Sequence, residues 1–387
     1  MFTGVSLYVG SGFEKNACML KKAYEAGARY TFTSLHIPEE TSAEYQRDAR
    51  DLIRFCGEKG VHLIADVSPH TLEKLGVSRL EELADFGIDY VRLDYGFDAQ
   101  RIIELSRVFH VVFNASTITE DVIRVWQEAG ADFSRFAACH NYYPKRYTGL
   151  SIERVARSNA RLKSLGFQTL AFIPGDAEKR CPLFEGLPTV EEHRDHTGVL
   201  LARDALELYD AQTDVVFIGD ISASEGVWKW LRAFSEGHVP LRVELDDTYD
   251  YLYGRVQHDR VDSSDYLIRS QESRLWTDAS VVEATPAATE GPVAAPCVAT
   301  PPVAAASSPV ATTAPFTAEK GALLPVGTIL VSAAEYGRYV GEVSITKKEL
   351  PLDPRDAVVG RVTASDIPLL SYIHTGRGFT LEKWSFA

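Results

Sequence analysis

The chain has 387 residues, 45% hydrophobic and 24% charged, the make-up of a folded protein with a sizeable apolar core and room for two or three domains. Its formal net charge of −14 argues against a nucleic-acid partner, which calls for a basic stripe, and no apolar run approaches the roughly 20 residues of a membrane span. Five cysteines, at positions 18, 56, 139, 181 and 297, form neither a CxxC pair nor a metal-ligand spacing. Reduced core thiols, no metal and a cytoplasmic location are therefore expected. The opening "MFTGVSLYVG" runs straight into a strand with no basic segment before it, so no secretory signal is expected.

Taken in order, the first 237 residues repeat one unit about eight times: a short apolar strand, a turn, an amphipathic helix. Strands are expected near 4–9, 30–36, 61–68, 90–94, 111–116, 133–140, 169–174 and 214–220. Helices fill the gaps; Tyr45, Ala49, Leu52, Ile53 and Cys56 have the spacing of one apolar stripe. Capping boxes are expected at Ser11/Glu14, Thr41/Glu44, Ser78/Glu81, Thr117/Glu120, Thr189/Glu192 and Ser222/Glu225. Eight unbroken strand–helix units imply a parallel sheet and, at this size, a (β/α)8 TIM barrel. A doubly wound open sheet is the alternative, but no GxGxxG or GxxxxGK turn follows any strand.

After residue 237 the pattern changes to short alternating strands with Gly and Pro turns, so residues 238–387 are expected to form a small β domain. Residues 284–314, almost entirely Ala, Pro, Thr, Val and Ser, read as a flexible insertion within it.

The stretch "YVRLDYG" at 90–96 organises the barrel. Val91, Leu93 and Tyr95 share one face, Arg92 and Asp94 the other, as in a strand packed on helices outside and facing the barrel axis inside. Asp94 falls at the C-terminal end, where barrel enzymes carry their chemistry. A structural Arg92/Asp94 ion pair is the other explanation. Alternation and strand ends bring further polar residues to the mouth: Ser6 and Tyr8, Ser34 and His36 with Glu39 beyond, Asp66, Asn114, His140 and Asn141, and Asp220. Asp66 and Asp94 lie on adjacent strands, about 4.8 Å apart. Such paired carboxylates suit glycoside hydrolysis, one as acid and one ionised, with Arg92 favouring the ionised form. Asp220 or Glu39 are the alternatives for the second group. The loops after strands six and seven collect Lys145, Arg146, Lys179, Arg180, His193 and Arg194, a cluster suited to an anionic substrate, and Gly219–Ser224 leads into a helix start that suits phosphate. Tyr142 and Tyr143 are placed to stack on a sugar.

The segments "GVSLYVG", "SLHIPE", "LDYGF", "NAST", "HNYYPKRYTGLS", "FIPGD…RCPLFEGLPTVEEHR" and "FIGD", in that order, resemble the MupG-like family of 6-phospho-N-acetylmuramidases. The resemblance implies a TIM barrel followed by a cyclophilin-like β domain. It also implies cleavage of 6-phospho-N-acetylmuramic acid from N-acetylglucosamine during cell-wall recycling, without cofactor or metal. The expected catalytic set is Asp94, Asp66, Asp220 and Glu39; the expected substrate-binding set is Tyr8, Ser34, His36, Arg92, Asn114, His140, Asn141, Tyr143, Arg146 and Arg180. The expected partner is a small phosphorylated amino-sugar disaccharide, with no nucleic acid and no membrane, and a homodimer is the assembly considered. The competing classes are a phosphosugar isomerase or aldolase, which would want a strand-end Lys or a metal cluster, and a non-catalytic phosphosugar-binding protein.

Overall fold

The computed structural model describes residues 1–35, 43–67, 71–72, 75–93, 97–276, 316 and 321–384. His36, Glu39, Asp94 and the Ala/Pro-rich segment 284–314 lie outside them. The chain divides into two compact units, Met1–Val239 and Pro240–Ala387. Among the described residues no helix is long and apolar enough to cross a membrane.

The first unit is a closed parallel barrel: β1 (Phe2–Leu7), β2 (Tyr30–Ser34), β3 (His62–Val67), β4 (Tyr90–Leu93), β5 (His110–Asn114), β6 (Phe136–Cys139), β7 (Gln168–Ile173) and β8 (Val215–Ile218) pair in sequence order, and β8 closes on β1 with Phe2 opposite Val215. Helices α1 (Phe13–Glu25), α2 (Ala43–Lys59), α3 (Ala99–Ser106), α4 (Glu120–Glu128), α5 (Ile152–Ser164), α6 (Val199–Asp210) and α7 (Glu225–Ser235) cross between strands. Alternate residues fill the barrel: Tyr30, Phe32, Ile64, Tyr90, Val112, Ala137, Cys139, Leu170, Phe172, Val215 and Phe217 form one buried cluster. The intervening residues face the helices, as in the Phe113–Trp126–Phe136 stack, whose ring centroids are 4.3 to 5.7 Å apart. Period-two alternation thus sorts one strand sequence into an inner core and an outer one.

The capping boxes are a correction: none within the described residues caps its helix. Asp98, Thr119 and Ser151 do so instead, accepting from Arg101 N (2.8 Å), Val122 N (3.3 Å) and Arg154 N (3.4 Å). Two of the hydroxyls picked out by spacing are drawn into loop contacts. Thr189 Oγ1 accepts from Phe172 N and donates to Asn141 O, and Ser222 Oγ accepts from Glu178 N. Such local bonds compete with capping.

The second unit is a sheet of strands β9 (His238–Leu245), β10 (Gln257–His258), β11 (Leu267–Arg269), β13 (Thr328–Ser332), β14 (Val343–Thr346), β16 (Asp356–Val362) and β17 (Gly378–Lys383), ordered β10-β17-β9-β16-β13-β14-β11, with a separate pair, β12 (Leu323–Leu324) and β15 (Leu350–Pro351). β9 alternates buried and half-buried positions, burying Val243 and Leu245; Ile268, Ile329, Ile345 and Phe379 are buried residues of other strands in the sheet.

Candidate active site at the C-terminal rim of the barrel

Ser34, Asp66 and Arg92 stand side by side across β2, β3 and β4, because Ser34 pairs with Asp66 and Asp66 with Arg92 in register. Asp66 is 5% exposed. Arg92 Nη1 donates to Asp66 Oδ2 at 3.3 Å, its Nη2 donates to Asn141 Oδ1, and the guanidinium lies over the Phe32 ring, 5.9 Å from its centroid. A buried ion pair has a desolvation cost that replacement by apolar residues would remove. It sits at the C-terminal ends of β3 and β4, on the rim of the barrel. Cys139 belongs to the same interior cluster, and burial pushes its thiol up to about 12, which keeps it neutral.

The opposite side of the rim is built on Asp220. Its carboxylate, fully buried, accepts three backbone N–H bonds, from Gly175 (2.9 Å), Arg180 (3.0 Å) and Leu187 (3.1 Å). Residues 175–187 are thereby folded over the ends of β7 and β8. The approach is close enough to need glycine: a Cβ on Gly175 would stand 2.3 Å from Ser222 O, and one on Gly219 2.4 Å from Leu187 O. The loop presents Arg180 to the mouth, its guanidinium stacked on the Tyr8 ring at 4.1 Å and donating to Tyr142 Oη at 3.2 Å. Tyr8 donates its hydroxyl to Gly219 O. Burial, above all, holds both phenols above their usual range, with the Arg180 charge pulling the other way. Tyr142, rather than Tyr143, packs on the barrel interior, against Phe172 and Phe32.

A second belt fastens the two long loops. Tyr143 N donates to Pro188 O and Leu150 N to Thr189 O. Glu191 accepts from Tyr147 N and Gly149 N, both at 2.7 Å, and receives two bonds from the buried Arg194 guanidinium, also at 2.7 Å. Arg194 in the first place, and these amides after it, hold the Glu191 carboxyl down at about 2.

Three expected site residues are engaged in other contacts. His140 alternates outward from Cys139, so its buried ring faces α5, where Nε2 meets Asn159 Oδ1 at 2.9 Å; burial holds it below the usual histidine range. Asp220 alternates outward from Gly219 and serves the loop backbone with both oxygens. Arg146 is exposed and matched by Glu185 and by Asp195, the latter at 2.8 and 2.9 Å. The helix start after β8 is also taken: Ser224 N donates to the Asp176 carboxylate at 2.7 Å. Tyr8, Ser34, Asp66, Arg92, Asn141 and Arg180 do meet at the rim. Asn114 lies at the end of β5 and turns its Oδ1 to Ser116 N (2.9 Å).

Among the described residues one group has metal-ligand proximity: His193, Asp204 and Glu207, with ligand atoms within 4.8 Å of one another. Its charges are already matched, His193 Nε2 to Glu207 at 2.7 Å and Arg203 to Asp204 at 2.7 Å, so it reads as a tie between residues 191–196 and α6.

A sequence profile described as "6-phospho-N-acetylmuramidase, N-terminal" matches residues 3–233, and one described as "6-phospho-N-acetylmuramidase, C-terminal" matches residues 307–382. The chain is similar to a solved conserved protein of unknown function from Enterococcus faecalis, with 28% identity over 99% of this chain and 96% of that one and a TM-score of 0.71. It shares its fold with an uncharacterized B. cereus protein, at 24% identity over 99% of both chains and a TM-score of 0.69. No curated protein matches the chain. With the profiles covering the barrel and most of the described C-terminal strands, the chain belongs to the MupG family of 6-phospho-N-acetylmuramidases.

Proposed function

We propose that this chain hydrolyses the glycosidic bond between 6-phospho-N-acetylmuramic acid and N-acetylglucosamine by carboxylate acid/base chemistry, in the recycling of cell-wall fragments and with a cytoplasmic site of action. The observation that carries the reading is the Asp66–Arg92–Asn141 cluster on the barrel rim, with Asp66 buried, inside the segment the family profile matches. Salt-bridged to Arg92, Asp66 supplies the charged carboxylate beside the anomeric carbon. A second carboxyl group protonates the departing sugar oxygen. Asp94, which shares the alternation of Arg92 in the sequence, is assigned that part on sequence grounds alone. Tyr8, Ser34, Asn141 and Tyr142 line the space around the reacting sugar.

The test is release of N-acetylglucosamine from the 6-phosphorylated disaccharide and from its unphosphorylated counterpart, by wild type and by Asp66→Asn. The expected result is cleavage of the phosphorylated form by wild type and a loss of about 10^3-fold in Asp66→Asn. Cleavage undiminished in the variant overturns the role of Asp66. No cleavage of either substrate by wild type overturns the glycosidase reading in favour of a binding protein.

A further inference from the structure

We infer that Arg180 is the receptor for a substrate anion at the barrel mouth and that Asp220 is the positioning residue that holds it there. The inference rests on the glycosidase reading only for which sugar carries the anion. The arginines of this rim and its loops differ in one respect. Arg92 faces Asp66, Arg146 faces Glu185 and Asp195, and Arg194 faces Glu191. Arg180 meets no carboxylate among the described residues; its guanidinium contacts are one Tyr142 hydroxyl and the face of Tyr8. A guanidinium has five donors in a planar fork, and stacking on an aromatic face leaves its edge open to an oxyanion. Two neutral phenols beside it add no competing negative charge.

The helix start after β8, which the sequence suggests as the phosphate seat, is filled by Asp176, so the chain's own acid occupies that place. Asp220 acts at one remove. Its Oδ1 accepts the backbone N–H of Arg180 itself, and its Oδ2 those of Gly175 and Leu187, the two ends of the same loop. The geometry sets where the Arg180 backbone sits, and the Tyr8 and Tyr142 contacts then set the direction of its side chain.

The test is calorimetric binding, without turnover, of three probes: N-acetylmuramic acid 6-phosphate, N-acetylglucosamine 6-phosphate and N-acetylmuramic acid. The proteins are wild type, Arg180→Gln, Asp220→Asn and the double variant, with melting temperatures measured in parallel. Loss of an ionic hydrogen-bond partner is expected to weaken binding by about 10- to 100-fold in Arg180→Gln. If both phosphosugars weaken and N-acetylmuramic acid does not, the anion is the phosphate. If both muramic acids weaken and N-acetylglucosamine 6-phosphate does not, it is the lactyl carboxylate. Either result supports the receptor. Unchanged affinity for all three, or no binding of any by wild type, overturns it.

Asp220→Asn is expected to weaken the same probes, and the double variant to bind no more weakly than Arg180→Gln. Additive losses would reduce Asp220 to a structural part and overturn its positioning role; retained binding by Asp220→Asn would do the same. Binding that behaves as expected in a protein that cleaves nothing leaves this inference standing and removes the glycosidase reading, so the two fail separately.

Discussion

At the floor of the barrel, Tyr30, His62, Tyr90, His110 and Gln168 form a polar layer that closes on itself. Gln168 accepts from Tyr90 Oη at 3.3 Å and donates to Tyr30 Oη at 3.2 Å, the Tyr90 and His110 rings stack at 4.5 Å, His62 pairs with Asp89, and the His110 ring meets Arg135. At the mouth, Arg92, Asp66 and Asn141 are bonded to one another, but Arg180 meets only the Tyr142 hydroxyl and the Tyr8 ring among the described side chains. Polar side chains inside a barrel are therefore no mark of a site by themselves. The floor matches its groups internally; at the mouth the Arg180 guanidinium meets no carboxylate among the described residues, and on the proposal above that imbalance separates a binding rim from a polar plug.

Substitutions at the two ends should separate these roles. The largest effect is expected from Asp66→Asn, which should lower hydrolysis about 10^3-fold. Comparable activity in the variant would make the mouth a second structural layer like the floor. Next comes Glu191→Gln in the belt that carries the mouth loops. Leaving the buried Arg194 without its carboxylate should lower stability by about 3 kcal/mol in urea titrations. An unchanged midpoint would show that the loops are held by their backbone bonds alone.

The same pair predicts a pH dependence. The Glu191 carboxyl is held at about 2 in the fold, below its unfolded value. Its contribution is therefore complete above the ordinary carboxylate range and is lost as pH falls through that range toward 2. Acid titration of the wild type should accordingly show a loss of stability that Glu191→Gln lacks. At the floor, Tyr90→Phe removes one neutral hydrogen bond and should cost about 1 kcal/mol with hydrolysis unchanged. A large loss of activity there would erase the contrast between the two ends.

The smallest effect belongs to the half-exposed His62–Asp89 pair, where the carboxylate raises the imidazole. That contribution is present below the ordinary histidine range and fades as pH rises through the raised value. His62→Gln should flatten a shallow slope near neutral pH, and an identical slope in the variant would remove the pair as its source.

Much of this architecture is legible from local pattern. Period-two alternation in β1 to β5 correctly turns Tyr8, Ser34, Asp66 and Arg92 inward, and the repeated strand–helix unit yields the closed barrel. The same alternation carried further accounts for His140 and Asp220. His140 follows the inward Cys139, and Asp220 follows the inward Gly219, so both face outward. Reading them as strand-end polar residues, without carrying the alternation one step further, placed them in the mouth. Where the chain leaves the strands, alternation ends and local pattern has no further say. That Asp220 gathers the amides of Gly175, Arg180 and Leu187, that Glu191 captures Tyr147 and Gly149, and that Tyr142 packs inward while Arg146 turns to solvent depends on loops far apart in sequence meeting across a closed barrel.

The sequence by itself thus determined the barrel, its inner and outer faces and the polar character of the rim, because side-chain direction in a strand is a property of neighbouring residues. Only the tertiary structure decided which charges are matched with which among the described residues. Partnership is set by closure of the sheet and the docking of its loops, and no spacing along the chain encodes the distance between Arg180 and the nearest carboxylate.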